Sequence, residues 1–234
     1  MRFTDRRDAG RRLAGALAEL RGPGTVVLGL PRGGVPVAEE VAAELRAPLD
    51  VCLVRKLGVP FDPELALGAI GEGGIRILNE EVLRMARVRP DELTRVETRE
   101  RAVLERRVRA YRRARDQVDI EGRRVILVDD GIATGATARA ACQVVRARGA
   151  RGVVMAAPVG PPDAAERLGE EADSCVCLAT PPGFLAIGQF YDDFGQTDDT
   201  EVLACLARAQ PQSAAHGDRG HGANGSHGAH RATG

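Results

Sequence analysis

Before His216 this 234-residue chain contains no histidine; all four, His216, His221, His227 and His230, follow Pro211. That excludes a Ser-His or Cys-His nucleophilic mechanism, and a histidine-ligated metal centre, from the part of the chain able to build a core. Lysine occurs once, as Lys56, and aromatics make up 3% of residues. Charge of one sign is also missing, since 33 basic residues stand against 33 acidic ones. No global attraction to nucleic acid or an anionic membrane results, and any anion site must be local. Long apolar runs are absent too. Arg6-Arg7 and Arg11-Arg12 superficially suggest an export signal, but Glu19 and Arg21 interrupt the apolar residues after them, so neither a signal peptide nor a membrane span is expected. Cysteines are few, odd in number and scattered: Cys52, Cys142, Cys175, Cys177 and Cys205. They read as buried reduced thiols. Cys175 and Cys177 alternate as on one face of a strand and lack the spacing and second pair of a zinc site. A hydrophobic content of 44% suffices for one sizeable domain, and a soluble cytoplasmic protein is expected.

What the chain does contain is concentrated in residues 125–137, Val-Ile-Leu-Val-Asp-Asp-Gly-Ile-Ala-Thr-Gly-Ala-Thr. The short apolar, β-branched run reads as a buried parallel strand. Asp129 and Asp130 arrive at its carboxyl end, where open α/β sheets place ligands. Gly131, Gly135, Ala133 and Ala136 let backbone amides approach an anion, Thr134 and Thr137 add hydroxyl donors, and a helix read over residues 139–148 adds its positive end. An Asp-Asp pair alone can be a turn signal, but the ordered string of strand, two acids and Thr-Gly-x-Thr is far more restrictive. A P-loop is excluded because Lys56 is remote from this turn. No G-x-G-x-x-G dinucleotide fingerprint occurs in the glycine-rich stretches 29–34 or 68–74. A second strand, turn and helix unit precedes it: a strand over 25–30, then Pro31-Arg32-Gly33-Gly34, then a helix over 37–45. Two glycines and an arginine between strand and helix suit an anion, although a tight turn would use them as well.

Residues 129–137 resemble the phosphoribosyl pyrophosphate (PRPP) motif of type I phosphoribosyltransferases, and the order of elements up to about residue 208 fits that family. The resemblance implies an open, mainly parallel α/β sheet flanked by helices, with a helical and loop insertion as lid and a small late hood segment. It implies that Asp129 and Asp130 hold the ribose hydroxyls, and that Ala133, Thr134, Gly135, Ala136 and Thr137 cradle the 5-phosphate. Arg32, Gly33 and Gly34 then form the pyrophosphate loop, joined by Arg55 and Lys56, which end a strand read over 50–54. Asp129, Asp130, Lys56 and Arg32 are the expected catalytic set. Mg²⁺ is expected mainly through PRPP, with Asp129 and Asp130 as carboxylate ligands, and a homodimer is expected. Purine-salvage members acting on hypoxanthine and guanine usually carry a base-directed aspartate where this chain has Ala133, so the acceptor and any general base stay unassigned.

The remaining segments complete the expected architecture. Residues 6–21 form an amphipathic helix with Ala9, Leu13, Leu17 and Leu20 on one stripe. Residues 58–74 read as loop, similar to an uncharacterised subgroup of the family carrying Arg-Lys-Leu-Gly and Pro-Glu-Leu-Ala-x-Gly. Next come a short strand over 75–78, a helix capped by Asn79 and running through Ala86, and a long helix from Pro90 or Asp91 through about Arg115. With this helical insertion at about 79–118, residues 1–209 form the domain, and residues 210–234 a disordered Gly/His-rich tail. The arginines of the long helix could mark RNA contact, known in one branch of the family, but Glu97/Arg101 and Glu105/Arg109 have salt-bridge spacing. Leu104, Val108 and Tyr111 make an apolar stripe beside them, so a packed, solvated helix is expected and nucleic acid is not. Strands over 152–157 and 174–178 flank a helix over 164–171. The aromatic stretch 184–194 leaves two roles open: base contact through Phe190 and Tyr191, or a cluster anchoring a last helix over 200–208. Two functions are compatible with these features: a Mg²⁺-dependent phosphoribosyltransferase with an unidentified base or amine acceptor, or a regulator that binds PRPP or a nucleotide without turnover.

Overall fold

The computed structural model describes residues 1–113 and 116–209, with the backbone alone for residues 63 and 64. In chain order the strands are β1 (Thr25–Gly29), β2 (Leu49–Val51), β3 (Val54–Val59), β4 (Asp62–Gly71), β5 (Arg76–Leu78), β6 (Arg124–Val128), β7 (Gly152–Val159) and β8 (Ser174–Ala179). The helices are α1 (Arg6–Ala16), α2 (Gly34–Leu45), α3 (Glu80–Met85), α4 (Pro90–Tyr111), α5 (Ala136–Ala147), α6 (Ala164–Leu168) and α7 (Asp199–Arg208).

Five strands form a fully parallel sheet in the order β2-β1-β6-β7-β8, flanked by helices as the family resemblance implies. The central strands are continuous apolar runs because both faces are covered. Side chains alternate between two cores. Val27, Ile126, Val128, Val154 and Ala156 join the core containing Leu13, Val37, Val41 and Leu45 of α1 and α2. Val26, Leu28, Val125, Leu127, Val153 and Met155 join the core containing Ala141 and Val145 of α5. From β1 the chain moves outward through α2 to β2, whereas from β6 it moves the other way through α5 to β7 and β8. The carboxyl ends of the adjacent β1 and β6 therefore sit at the switch point, where loops diverge and leave a crevice.

The segment between the two halves differs from the sequence reading. Residues 50–54 do not form one strand: β2 ends at Val51, and Val54 begins β3 of a separate antiparallel sheet ordered β3-β4-β5. Arg55 and Lys56 thus lie within a hairpin, paired with Ile70 and Ala69, rather than at the end of a parallel strand. The expected loop over 58–74 is mostly β4. Leu67, Ala69 and Ile70 are fully buried, and the hairpin packs against both α4 and α5. Register shifts at Leu57/Gly58 and Gly58/Val59 break the regular alternation that would have announced a strand. Asn79 caps α3 as read, its side chain accepting from the Glu81 and Val82 amides. The long helix begins at Pro90 and ends at Tyr111 with Arg112 as its cap, earlier than the end read near Arg115; the tail expected over 210–234 lies outside the described residues.

No helix among the described residues is long and apolar enough to cross a membrane. All five cysteines are free; Cys52, Cys142 and Cys205 are buried, and Cys175 and Cys177 are partly exposed with their sulfurs 3.9 Å apart.

One buried ion network ties α4 to the sheet. Asp50, at 0% exposure, accepts from Arg112 Nη1 at 2.7 Å and from the Val118 amide at 2.9 Å, while Arg112 also reaches Glu72 at 2.7 Å through Nε and 2.9 Å through Nη2. Removing the Arg112 guanidinium breaks its buried ion pairs with Asp50 and Glu72 together, and breaking a buried pair typically costs about 3–5 kcal/mol. Arg112→Ala is therefore expected to lower Tm by roughly 10 °C, measured by circular dichroism melting.

Candidate active site

Two turns meet at the switch point. One joins β1 to α2 and carries Arg32, Gly33 and Gly34; the other joins β6 to α5 and carries Asp129 to Thr137. Backbone hydrogen bonding links them, the Leu30 amide donating to the Val128 carbonyl at 2.8 Å. The glycines are required by space. A Cβ on Gly33 would lie 2.0 Å from Asp130 Oδ2, and one on Gly34 would lie 2.5 Å from the Val128 carbonyl oxygen and 2.8 Å from Asp129 Cα. The pair read from the sequence as an anion loop thus also lets the carboxylates sit directly against it.

Asp130 is 9% exposed and held from two sides. Arg6, the first residue of α1, donates through Nε to Oδ2 at 2.8 Å, while its Nη1 donates to the Gly195 carbonyl at 2.6 Å and its guanidinium lies 4.1 Å from the Phe194 ring centroid. The Tyr191 hydroxyl donates to the Asp130 backbone carbonyl at 2.6 Å. Asp129 Oδ1 accepts the Asp130 amide at 2.9 Å. Burial, and then the Asp130 charge, push the Asp129 carboxyl well above the usual carboxylate range. Burial raises Asp130 as well, with Arg6 opposing it. The two carboxylates therefore form a site that gains from an added cation.

The second turn enters α5 through Gly135, whose φ of 79° suits glycine at no steric cost. Asp129, Ala133, Thr134, Gly135 and Thr137 border a cavity of about 150 Å³. Ala133, Thr134 and Thr137 are exposed there, at the positive end of a twelve-residue helix. Arg167 of α6 donates to the Ala133 carbonyl at 3.4 Å and covers one side of the loop. These features make an anion cradle beside the carboxylates.

Residues 4–194 match the phosphoribosyl transferase domain family. The chain belongs to this family. Two Mycobacterium tuberculosis proteins, from strains CDC 1551 and H37Rv and each named "Putative phosphoribosyl transferase", are 58% identical to it over 207 residues, 88% of this chain and 47% of each of theirs. The chain thus spans about half the length of these curated relatives. The crystal structure of TT1426 from Thermus thermophilus is similar at a TM-score of 0.84 and 50% identity, with 90% of this chain and 100% of that one covered.

In this phosphoribosyl transferase domain the hairpin brings Arg55 and Lys56 to one cleft with Thr137 of the second loop. Strand alternation directs Arg55, with Leu57 and Val59, to the core that includes α4, where Glu100 accepts from Arg55 at 2.8 and 2.6 Å. Lys56 alternates to the face of Val54, whose core holds α5. Both residues border a cleft of about 660 Å³ that reaches Thr137. Within the aromatic stretch the two candidate base-contact residues differ in burial. Tyr191 is 3% exposed and packs with its ring centroid 5.5 Å from that of Phe3 and 5.0 Å from that of Phe194, which leaves it a support beneath Asp130 rather than a surface for a base. Phe190, half-buried, stacks on Phe184 at 5.9 Å. Nor does the cluster anchor the last helix. It fastens the amino-terminal segment, with Phe3 and Thr4 bonded to residues 190–193, while α7 packs on α2.

Arg6 is the residue that sequence reasoning missed. It is one of four arginines in α1, and nothing local separates it from the others; only the 124-residue separation closed by folding places it on Asp130.

A carboxyl whose affinity for protons is raised by folding stabilises the fold at low pH and loses that contribution as pH rises from its unfolded value through its folded one. Asp129→Asn removes this penalty. The variant is expected to melt roughly 2–4 °C above the parent at pH 8, the shift that ~1 kcal/mol produces in a domain of this size, with the advantage shrinking toward pH 4 in a pH series of melts.

Proposed function

We propose that this chain transfers the 5-phosphoribosyl group of PRPP to a nitrogen of a nucleobase or amine acceptor, releasing pyrophosphate. The observation that carries the reading is the contact of the Arg32 to Gly34 turn with Asp129 and Asp130 at the switch point. It supports reading the turn as the leaving-group loop and the acids as the ribose ligands, and the cavity that Asp129 borders with Ala133, Thr134, Gly135 and Thr137 supports reading that loop as the phosphate cradle. In this reading the Ala133 to Thr137 loop binds the 5-phosphate and Asp129 and Asp130 bind the ribose hydroxyls. Arg32, Gly33, Gly34 and Lys56 face the pyrophosphate.

The bond from the anomeric carbon to the pyrophosphate oxygen breaks as the acceptor nitrogen forms its own bond to that carbon. The sugar is cationic at this point, so positioning and charge stabilisation are enough and no covalent nucleophile is needed. Asp129 and Asp130, already destabilised as adjacent and desolvated acids, gain most when positive charge develops beside them. Arg6 and Tyr191 keep Asp130 aimed at the ribose, and the cations Arg32 and Lys56 offset charge on the departing pyrophosphate.

The acidic pair also fits Mg²⁺, a hard cation that takes carboxylate and phosphate oxygens. Among the described residues no group of three or more His, Cys, Asp or Glu side chains forms a metal cage, so Asp129 and Asp130 would hold the ion together with oxygens of the bound PRPP. When bound, it supplies charge neutralisation of the pyrophosphate.

The protein, given PRPP, Mg²⁺ and a panel of purine and pyrimidine bases and simple amines, is expected to release pyrophosphate with at least one acceptor. Asp129→Asn/Asp130→Asn is expected to lower the rate by about 10²-fold or more. Binding of PRPP without release on any acceptor would instead identify a PRPP-binding regulator, and release unchanged in the double variant would overturn the site assignment.

A further inference from the structure

Three of the five cysteines, Cys52, Cys142 and Cys205, are buried, whereas Cys175 and Cys177 are partly exposed. Both belong to β8, which among the described residues is the last strand of the parallel sheet and pairs with β7 alone. A spacing of two places both side chains on one face of a strand, and both pack at the margin of the core that holds α5. Their sulfurs converge to 3.9 Å.

Two chemistries join a pair of sulfurs, and strand geometry separates them. A disulfide needs sulfurs about 2.05 Å apart and β-carbons roughly 3.5–4.5 Å apart. Residues two apart lie about 6.4–6.8 Å from one another along a strand, so side chains standing on one face of β8 reach that bond only if the strand buckles. A metal ion has no such requirement. At the ~2.3 Å of a metal–thiolate bond one ion bridges any sulfur separation up to ~4.6 Å, and 3.9 Å falls inside that reach with the backbone as it stands. The number of ligands then decides the kind of ion. Among the described residues no third His, Cys, Asp or Glu joins the pair. The surroundings of the Cys177 sulfur supply no donor side chain either: a Cβ on Gly160 would lie 3.3 Å from Sγ, 3.2 Å from Ala164 Cβ and 3.4 Å from Ile132 Cβ. Structural zinc takes four ligands, whereas Cu(I) is a soft ion selected by thiolates and is content with two of them.

We propose that Cys175 and Cys177 form a two-thiolate chelate on the edge strand for a soft monovalent cation of the Cu(I) class. Each thiol gives up its proton as its sulfur–metal bond forms, so one ion displaces two protons and no electron is transferred. The site is separate from the phosphoribosyl transfer reading and does not depend on it.

The test uses the whole reduced chain under anaerobic conditions, titrated with Cu(I) against a coloured Cu(I) chelator, on the parent, Cys175→Ser, Cys177→Ser and the double variant. The double variant keeps Cys52, Cys142, Cys205 and the four histidines after Pro211, and so reports any binding elsewhere. The parent is expected to take one ion per chain. Loss of an outer-shell partner alone costs about 10–100-fold in metal affinity, so each single variant is expected to bind at least ~10-fold more weakly and the double variant at least ~10²-fold more weakly. In the parent, Cu(I) is expected to shield Cys175 and Cys177 from alkylation, read by peptide mass, a measurement that needs no variant to fold. Equal affinity in the parent and the double variant, or alkylation of both cysteines unchanged by the ion, would overturn the proposal. So would conversion of the reduced pair to a disulfide by hydrogen peroxide at unchanged melting temperature, because the sulfurs would then close without moving the strand.

Discussion

The contact between the turn at residues 31–34 and the turn at residues 128–130 is the constraint on which the rest of the site depends. Two parallel strands lie side by side at about 4.8 Å, and both must release a turn at the same end of the sheet. At that spacing neither turn has room for a side chain toward the other, so Gly33 and Gly34 carry hydrogen where a methyl group would overlap Asp130, Asp129 and the Val128 carbonyl. The benefit of this close approach is chemical. Any group bound to the first turn is brought beside the carboxylates of the second, and neither turn supplies both kinds of contact alone.

Electrostatics follow from that geometry. The chain is neutral overall, and its charges are largely spent in local pairs such as Arg7 and Arg208 on Glu39, whose carboxyl these hydrogen bonds hold below the usual range although burial works against them. The site departs from this pattern. Asp129 and Asp130 are two adjacent acids with Arg6 as their near cation. Two adjacent, desolvated acids that share one near cation are costly in the empty fold and mark a candidate functional site. The hydrophobic framework tolerates this cost because the central strands bury both faces and the hairpin adds a second packed layer between α4 and α5.

Much of this was legible in residue order where the physics is local. A β-branched apolar run followed by Asp-Asp and Thr-Gly-Ala-Thr specifies strand, turn and helix start within thirteen residues, and β6, the turn and α5 are arranged that way, with α5 starting three residues earlier than read. Asn79 as a cap and the Leu104 to Tyr111 stripe were equally local signals. The hairpin was illegible because Gly58, Gly68, Gly71, Gly73 and Gly74 imitate a loop. Its strands exist only through pairing and through contact with helices: Gly71, for example, has Val144 of α5 pressed where a Cβ would be, at 2.6 Å.

The sequence by itself determined that an acid pair and a Thr-Gly-Ala-Thr turn into a helix follow one strand and a glycine-arginine turn follows another, since backbone conformation, capping and side-chain chemistry there depend on near neighbours. Tertiary structure alone decided that these two strands are adjacent, that Arg6 and Tyr191 clasp Asp130, and that Arg55 meets Glu100. Such contacts join residues tens to more than a hundred positions apart. Arginines in a chain this rich in them look alike until burial and packing choose which ones lose water and which partners they meet.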